Sequence, residues 1–420
     1  MNATPAADAT IHDYFAPCTL GLEEVVAQEL GALRASAIEP RRGGVAFRGD
    51  RRLGYAANLW LRAAVRVQQR VLDVQAAGKE ELYAAVSTVE WERWLDVDGT
   101  LAIDASVRDS AITHSGFAGL TAKDAICDRF RRATGRRPSV DTVAPRLPIK
   151  LVLQRDRLQL YLNLSGESLH KRGWRPIQVK SPLNEAIAAG LLLATGWDRK
   201  SALVDPLCGS GTFVVEAACL AADRAPGLLR RFAFEQFPDF DARSWALLKG
   251  DAVERAQRSL PFPIIGSDRH PGAIELARRS VRAAQVEGLV ELRNGDVEAF
   301  VPPPPPFTLV TNPPWGERIG EGEELRASWE ALGHLLHQRA RGCTAWVLSG
   351  NAELPRLLGL KARRKFPVMD GPIECRFLRY DVFGGTAQEP SSSPSPSSSA
   401  GPSSPASPPP SSSPPSPSSA

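Results

Sequence analysis

The sequence predicts an α/β fold: an open parallel sheet, preceded by a smaller α+β region and followed by a tail that cannot fold. Three observations carry this. From about residue 200, short apolar runs end in polar turns and lead into stretches of helical period, the signature of a parallel sheet with helices on both faces. Before that, isolated alternating runs are mixed with amphipathic helices, which is α+β in character. Residues 391–420 contain only Ser, Pro, Ala and Gly, a composition that buries too little apolar surface to overcome chain entropy, so disorder is expected. The expected divisions are 14–70, 71–166, 167–383 and a disordered 384–420.

In the first region, residues 21–33 have apolar positions at helical spacing with acids in the first turn, predicting an amphipathic helix. Residues 44–48 read as a strand and 50–66 as a second helix. In the next region, 101–107 alternate like a half-buried strand, 121–134 form a helix, and 151–153 with 158–162 form a hairpin around Arg155-Asp156. Ser181-Pro182 marks the start of a helix carried by 186–195. The α/β part then runs as strand 202–204, helix 213–222, strand 263–267, helix 271–284, strands 290–293 and 307–311, helix 325–339, and strands 344–348 and 374–383. Residues 224–261 form a long insertion rich in aromatics and Pro. The five consecutive prolines 302–306 belong in a loop.

Bulk properties exclude several classes. Charged residues make up 23% and the net charge is only +4, so any nucleic-acid footprint must come from local clustering. The six cysteines show no CxxC and no Cys/His pairing, which argues against zinc or any other metal site and against a disulfide framework. They suit a reducing, cytoplasmic location. No run reaches the roughly 18 apolar residues of a membrane span. The first dozen residues have neither arginine nor an apolar signal region, so no secretory or transit peptide is expected.

Two clusters suggest phosphate contact. Arg129, Arg131, Arg132, Arg136 and Arg137 fall within nine residues at one helix end, more cations than dipole complementarity requires. The other reading is a solvated helix terminus. The segment from Leu169 to Arg175 interleaves His170, Lys171 and Arg172 with Trp174, which suits backbone contact with base stacking. Here the other reading is a charged turn whose Trp174 packs inward.

The chemistry lies in the turns, since ligands of open α/β sheets bind beyond the carboxyl ends of the strands. Gly209 and Gly211 allow close backbone approach in the turn from Asp205 to Thr212. No Lys follows them as in a Walker loop, and Val214 breaks a GxGxxG pattern. Asp268 is placed to accept from ribose hydroxyls and Asp296 from an adenine amine, although a lone Asp is more often a cap. A nucleoside with a charged amino-acid end and no phosphate fits all three turns, namely S-adenosylmethionine. After the run 307–311 comes Asn312-Pro313-Pro314-Trp315-Gly316-Glu317-Arg318. It is a stiff corner with acceptors and an aromatic wall, suited to a planar exocyclic amine; alone it is also readable as a proline turn with a core tryptophan.

These residues resemble a family. Asp205-Pro206-Leu207-Cys208-Gly209-Ser210-Gly211-Thr212-Phe213, Gly266-Ser267-Asp268, Asn294-Gly295-Asp296 and the Asn312 corner are similar to class I methyltransferases acting on exocyclic amines, with their Rossmann-like fold. Ser115-Gly116-Phe117, the basic helix after it and the Ser168–Trp174 stretch resemble the THUMP region of RNA guanine-N2 methyltransferases. The similarity is strongest to the amino-terminal half of the fused bacterial enzymes that modify 23S-type ribosomal RNA. It implies a ferredoxin-like region at 14–70, a THUMP RNA-binding domain at 71–166 and a methyltransferase domain at 167–383. It departs in two ways. A Ser/Pro tail stands where the fused enzymes have a second methyltransferase domain, and Trp315 stands where Tyr is more usual.

The resemblance implies transfer of the sulfonium methyl to a guanine N2, with Asn312, Pro313, Pro314 and Trp315 as the catalytic corner. Asp205, Cys208, Gly209, Gly211, Thr212, Asp268, Asp296 and Asn312 hold the cofactor, and Arg129, Arg131, Arg132, Arg136, Arg137, Lys171 and Arg172 hold RNA. Cys208 itself reads as a small packing residue. Ribosomal RNA is the expected partner. A tRNA substrate, adenine-N6 methylation and a non-catalytic RNA-binding factor remain alternatives at this stage.

Overall fold

Two sheets organise the chain in a computed structural model that describes residues 10–175, 183–316 and 322–383. The expected tail, Ser181-Pro182 and Glu317-Arg318 lie outside the described residues. The first sheet takes β1 (His12–Pro17), β2 (Ser36–Arg41), β3 (Gly44–Gly49) and β4 (Gln68–Gln75), with α1 (Glu23–Ala32) and α2 (Arg51–Trp60) between them. It continues through α3 (Lys79–Thr88), β5 (Thr100–Arg108), α4 (Ser115–Thr134), β6 (Ser139–Val140), β7 (Leu147–Gln154) and β8 (Arg157–Asn163). Its order is β2-β3-β1-β4-β8-β7-β5-β6. The antiparallel β4–β8 pairing therefore joins into one sheet two regions that the sequence separates near residue 70.

Alternation decides which face is covered. Leu147, Ile149, Leu151 and Leu153 of β7, with Leu158, Leu160 and Leu162 of β8, are buried on the side of α3 and α4. The residues between them face the other way. The expected hairpin forms, with Arg155 and Asp156 both at positive φ (50° and 60°) as a two-residue turn requires.

Some expectations shift. The helix expected over 50–66 starts at its Asp50 cap, which accepts from the Leu53 N–H at 2.7 Å. It ends at Trp60, where Leu61 turns extended and the chain runs back to bond Pro17. The helix expected from 121 begins six residues earlier at Ser115, and Gly119 in its first half lies against Ala105 of β5. The helix after the exit segment is capped by Asn184, whose side chain accepts from Ala186 and Ile187.

The second sheet takes β9 (Ala202–Asp205), β10 (Ile264–Asp268), β11 (Val290–Asn294), β12 (Phe307–Thr311), β13 (Thr344–Ser349), β14 (Arg364–Asp370) and β15 (Ile373–Asp381). The helices flanking it are α5 (Glu185–Ala194), α6 (Thr212–Ala221), α7 (Ala242–Arg255), α8 (Pro271–Ala283) and α9 (Gly322–Gln338). The order is β11-β10-β9-β12-β13-β15-β14, parallel except that β15 runs antiparallel to both neighbours. Pro367 and flanking charges suit β14 to its edge position and hide it from a strand reading. The insertion supplies α7 and an aromatic cluster: Phe234 stacks on Tyr55 of α2 at 4.3 Å between centroids, with the Trp245 ring edge-on to Phe234.

Where the two sheets meet, charge is buried. Arg172 donates through Nε to Glu216 of α6 at 3.2 Å, and the two side chains are 2% and 1% exposed. Its Nη1 and Nη2 donate to the carbonyls of Leu169 and Arg62. Arg62 in turn donates to the Arg224 carbonyl at 2.7 Å, and Glu29 accepts from the backbone of Arg62 and Ala63.

Glu216→Leu strands the Arg172 charge and is expected to lower unfolding stability by about 3–5 kcal/mol, as broken buried pairs do. The Arg172→Met/Glu216→Leu double variant should recover most of that loss in urea titrations. A double-variant loss equal to the sum of the Arg172→Met and Glu216→Leu losses would show that the pair is uncoupled.

Candidate active site

Strand order reverses at β9: β10 lies on one side of it and β12 on the other. In open sheets such a switch point opens the crevice where ligands sit. Asp205 at the end of β9 is buried, and its Oδ1 accepts from the Thr311 hydroxyl at 2.7 Å and the Leu207 N–H at 3.2 Å. Thr311 ends β12 and precedes Asn312. One hydrogen bond therefore ties the glycine turn to the Asn312 corner across the switch point.

Gly209 (φ 53°) and Gly211 (φ 83°) take left-handed backbone, and space is open where a Gly209 Cβ would stand. The Gly209 N–H donates to Asp268 Oδ2 at 3.0 Å, while Asp268 Oδ1 accepts from His270 N–H at 2.9 Å. The Asp268 carboxylate thus stitches the glycine turn to the end of β10. Cys208 lies against Gly266 of β10, where an added Cβ would come 3.2 Å from its sulfur. Burial raises its thiol well above the ordinary range, so it is an inert packing group. The Thr212 hydroxyl accepts from Arg175 Nη2 at 2.9 Å, so its side chain serves the exit segment. Asp296 is exposed and accepts from Glu298 N–H at 3.1 Å, capping the turn after β11. The neighbouring Gly295 N–H bonds the Asp268 carbonyl, so these turns adjoin.

The corner is held by two indoles. Trp315 Nε1 donates to Asn312 Oδ1 at 2.8 Å, and Trp329 Nε1 of α9 donates to the Pro314 carbonyl at 2.8 Å. The Trp315 ring lies on Gly350, where a Cβ would sit 2.4 Å from it. Thr311, Arg175, Trp329 and Gly350 are absent from the sequence-based set. Trp329 reads there only as an apolar position of a helix and Arg175 only as the end of a basic segment; Thr311 and Gly350 carry no local signal.

Two expected RNA contacts are corrected. Arg172 is buried on Glu216 and cannot reach a phosphate. Arg129 is spent internally, donating to both oxygens of Glu92 and to the Ser87 carbonyl. Arg131 and Arg136 pair with Asp128 and Asp98, while Arg132 and Arg137 are exposed. Lys171 is exposed and paired with Glu167 at 2.7 Å. Trp174 is buried, as the inward-packing reading has it.

An open parallel sheet with an antiparallel pair at one edge, a glycine turn and acids at successive strand ends defines a class I methyltransferase fold. The chain belongs to the RMKL-like methyltransferase family. Residues 172–379 match that family's methyltransferase-domain model (UPF0020), 13–68 the RlmL ferredoxin-like domain and 76–163 the THUMP domain. The Synechocystis sp. protein slr0064 is 38% identical over 384 residues, 91% of this chain and all of that protein. The ribosomal RNA large subunit methyltransferase K/L of Syntrophotalea carbinolica is 40% identical over 380 residues, 88% of this chain and 53% of that protein. The chain thus spans about half the length of the K/L relatives it matches. The crystal structure of SMU.472 complexed with SAH superposes with a TM-score of 0.82 at 27% identity, covering 90% of this chain and 99% of that one. A Listeria monocytogenes structure named as a predicted N6-adenine-specific DNA methylase gives the same TM-score and identity, covering 90% and 98%.

Burial pushes the Asp205 carboxyl up to about 7, the Asp268 charge adding to it and the Thr311 and Leu207 donors opposing. An unfolded Asp titrates near 3.9, so the folded state binds this proton more tightly. The resulting stability is full below about pH 4 and is lost as pH rises through about 7. Urea titrations of the ligand-free protein across that window should show the decline, and Asp205→Asn should flatten it.

Proposed function

We propose that the chain transfers the methyl group of S-adenosylmethionine to the exocyclic N2 amine of a guanine in RNA, with large-subunit ribosomal RNA as substrate. The observation that carries this reading is the Asn312-Pro313-Pro314-Trp315 corner, held rigid by two indole N–H bonds and tied through Thr311 to the glycine turn. The ribosomal RNA substrate rests on the names of the K/L relatives, and guanine N2 on the resemblance of the motifs.

The residues fit the cofactor. The turn from Asp205 to Thr212 has open space at Gly209 and no cation of its own for a phosphate, which suits a nucleoside with an amino-acid end. The glycine backbone, Asp268 and Asp296 would hold it. When bound, S-adenosylmethionine supplies an electrophilic methyl group. An aryl amine is a poor nucleophile because its lone pair is delocalised, so the protein's task is placement. An amide oxygen accepts two hydrogen bonds. One lone pair of Asn312 Oδ1 takes the Trp315 N–H. The other, with the Pro313 carbonyl, is left to grip the amine protons and hold its nitrogen pyramidal. A base brought here has left its stack, and stacking on Trp315 returns roughly 1–3 kcal/mol of that cost.

The same corner would take an adenine N6 amine, and the Listeria relative's name keeps that second reading open. Incubation with labelled cofactor and ribosomal RNA, followed by nucleoside analysis, separates the two. N2-methylguanosine is expected and N6-methyladenosine would overturn the guanine assignment. Cofactor binding without any transfer to RNA would overturn the enzyme. Asn312→Ala is expected to lower turnover by about 10²–10³-fold, the usual range for losing one positioned polar contact at a reacting centre. Cofactor affinity, read by calorimetry, should stay near that of the parent, and near-normal turnover would remove Asn312 from the catalytic set.

A further inference from the structure

The uncovered face of the eight-stranded sheet is the floor of a wide groove. Lys150 of β7 and Gln159 of β8 line it, on the strand positions that alternate with the buried leucines. Arg42, from the β2–β3 turn, stands on one wall. The opposite wall is built by the exit segment 165–173 and the insertion's Arg230 and Arg231. Besides the buried Arg172, eight Lys and Arg side chains line the groove against three Asp and Glu. That excess of five exceeds the +4 of the whole chain.

Arg230 shows how the wall is fixed. Its guanidinium donates to the carbonyls of Ser165, Glu167, Ser168 and Lys171, clamping the exit segment onto the insertion. The crowded cations leave their mark on His170. Burial, then the charges of Arg172, Lys171, Arg230 and Arg66, lower it to about 4, so it is neutral at physiological pH. Arg42 and Arg231 are exposed and make no ion pair among the described residues, which leaves their charge for a partner. Phe15 of β1 is half-buried on the floor and offers a flat apolar spot. At the methyltransferase end the groove is lined by Arg175, the residue that holds Thr212 beside the glycine turn.

We propose that this sheet-face groove, spanning the ferredoxin-like and THUMP regions and closed by Arg230 and Arg231, is the track on which the RNA phosphate backbone lies on its way to the Asn312 corner. The proposal rests on the RNA reading above and moves the main contact away from the arginines ending α4, a helix on the other face of the sheet. Backbone neutralisation by such a groove is independent of base sequence and releases counterions.

The test uses the full chain, a ribosomal RNA fragment and fluorescence anisotropy over a series of salt concentrations. Arg42→Gln/Lys150→Gln/Arg231→Gln is expected to weaken binding at least tenfold and to lower the log–log salt slope by about 2 to 3. Cofactor affinity and the thermal melt of the variant should match the parent, which excludes misfolding as the cause. Unchanged affinity and slope in the triple variant, while the parent binds and methylates RNA, would overturn the groove and leave the enzymatic reading intact. Loss confined to Arg132→Gln/Arg137→Gln would overturn it in favour of the helical face. A parent chain that neither binds nor methylates RNA would fell the enzymatic reading itself, and the groove with it.

Discussion

The Arg172–Glu216 pair holds the two halves of the molecule in register. Helix α6 starts in the glycine turn at Thr212 and presents Glu216 four residues later, on the same face. The exit segment meets both: Arg175 donates to the Thr212 hydroxyl and Arg172 to Glu216. Arg172 also donates to the carbonyl of Arg62, which belongs to the first region. The exit segment and the first region are thus fixed to one helix turn beside the glycine turn. Such a pair adds little stability over apolar residues of equal volume, because desolvation cancels most of its Coulomb gain. Its value is that other arrangements would strand a buried charge, so the sheet face and the strand-end crevice have one relative placement.

A similar economy governs the corner. Asn312 needs its amide in one orientation to offer an acceptor, and a free side-chain amide has two. The Trp315 N–H selects the orientation that turns Oδ1 toward the indole. Gly350 keeps the indole in place because any side chain there would collide with the ring. Where the resemblance carries a tyrosine more often, tryptophan keeps a stacking surface and brings a donor of its own. The loss of a phenol hydroxyl is therefore not a loss of polar control.

Much of the α/β half was legible because its signals are local. Buried parallel strands are short apolar runs; Asp205 and Asp268 end two of them, Asn312 directly follows a third, and Asp296 lies two residues past β11. What escaped was set at a distance. Arg172 looks like a solvent cation among His170, Lys171 and Trp174, and only Glu216, 44 positions on, explains its burial. Arg129 is likewise claimed by Glu92. Local reading alone cannot show that 61–67 leave a helix to run beside β1, or that β4 and β8 merge two regions into one sheet. Pro367 masks β14, since a proline within a strand is tolerated only at an edge.

Charge shows the same division between local and assembled properties. A net of +4 over 420 residues understates the field, because the fold gathers cations from the β2–β3 turn, β7, the exit segment and the insertion onto one face. No single stretch among these is as basic as the end of α4, which draws the eye in the sequence; carboxylates claim cations in both places, Arg129, Arg131 and Arg136 there and Lys150 and Lys171 in the groove. Contacts to phosphates position a nucleic acid and contacts to bases specify it. On the proposed reading the groove does the first and the Asn312 corner the second. The buried pair between them then matters to function as well as to folding: it fixes the distance from backbone track to reacting amine, and with it which nucleotide along a bound strand can arrive at the corner.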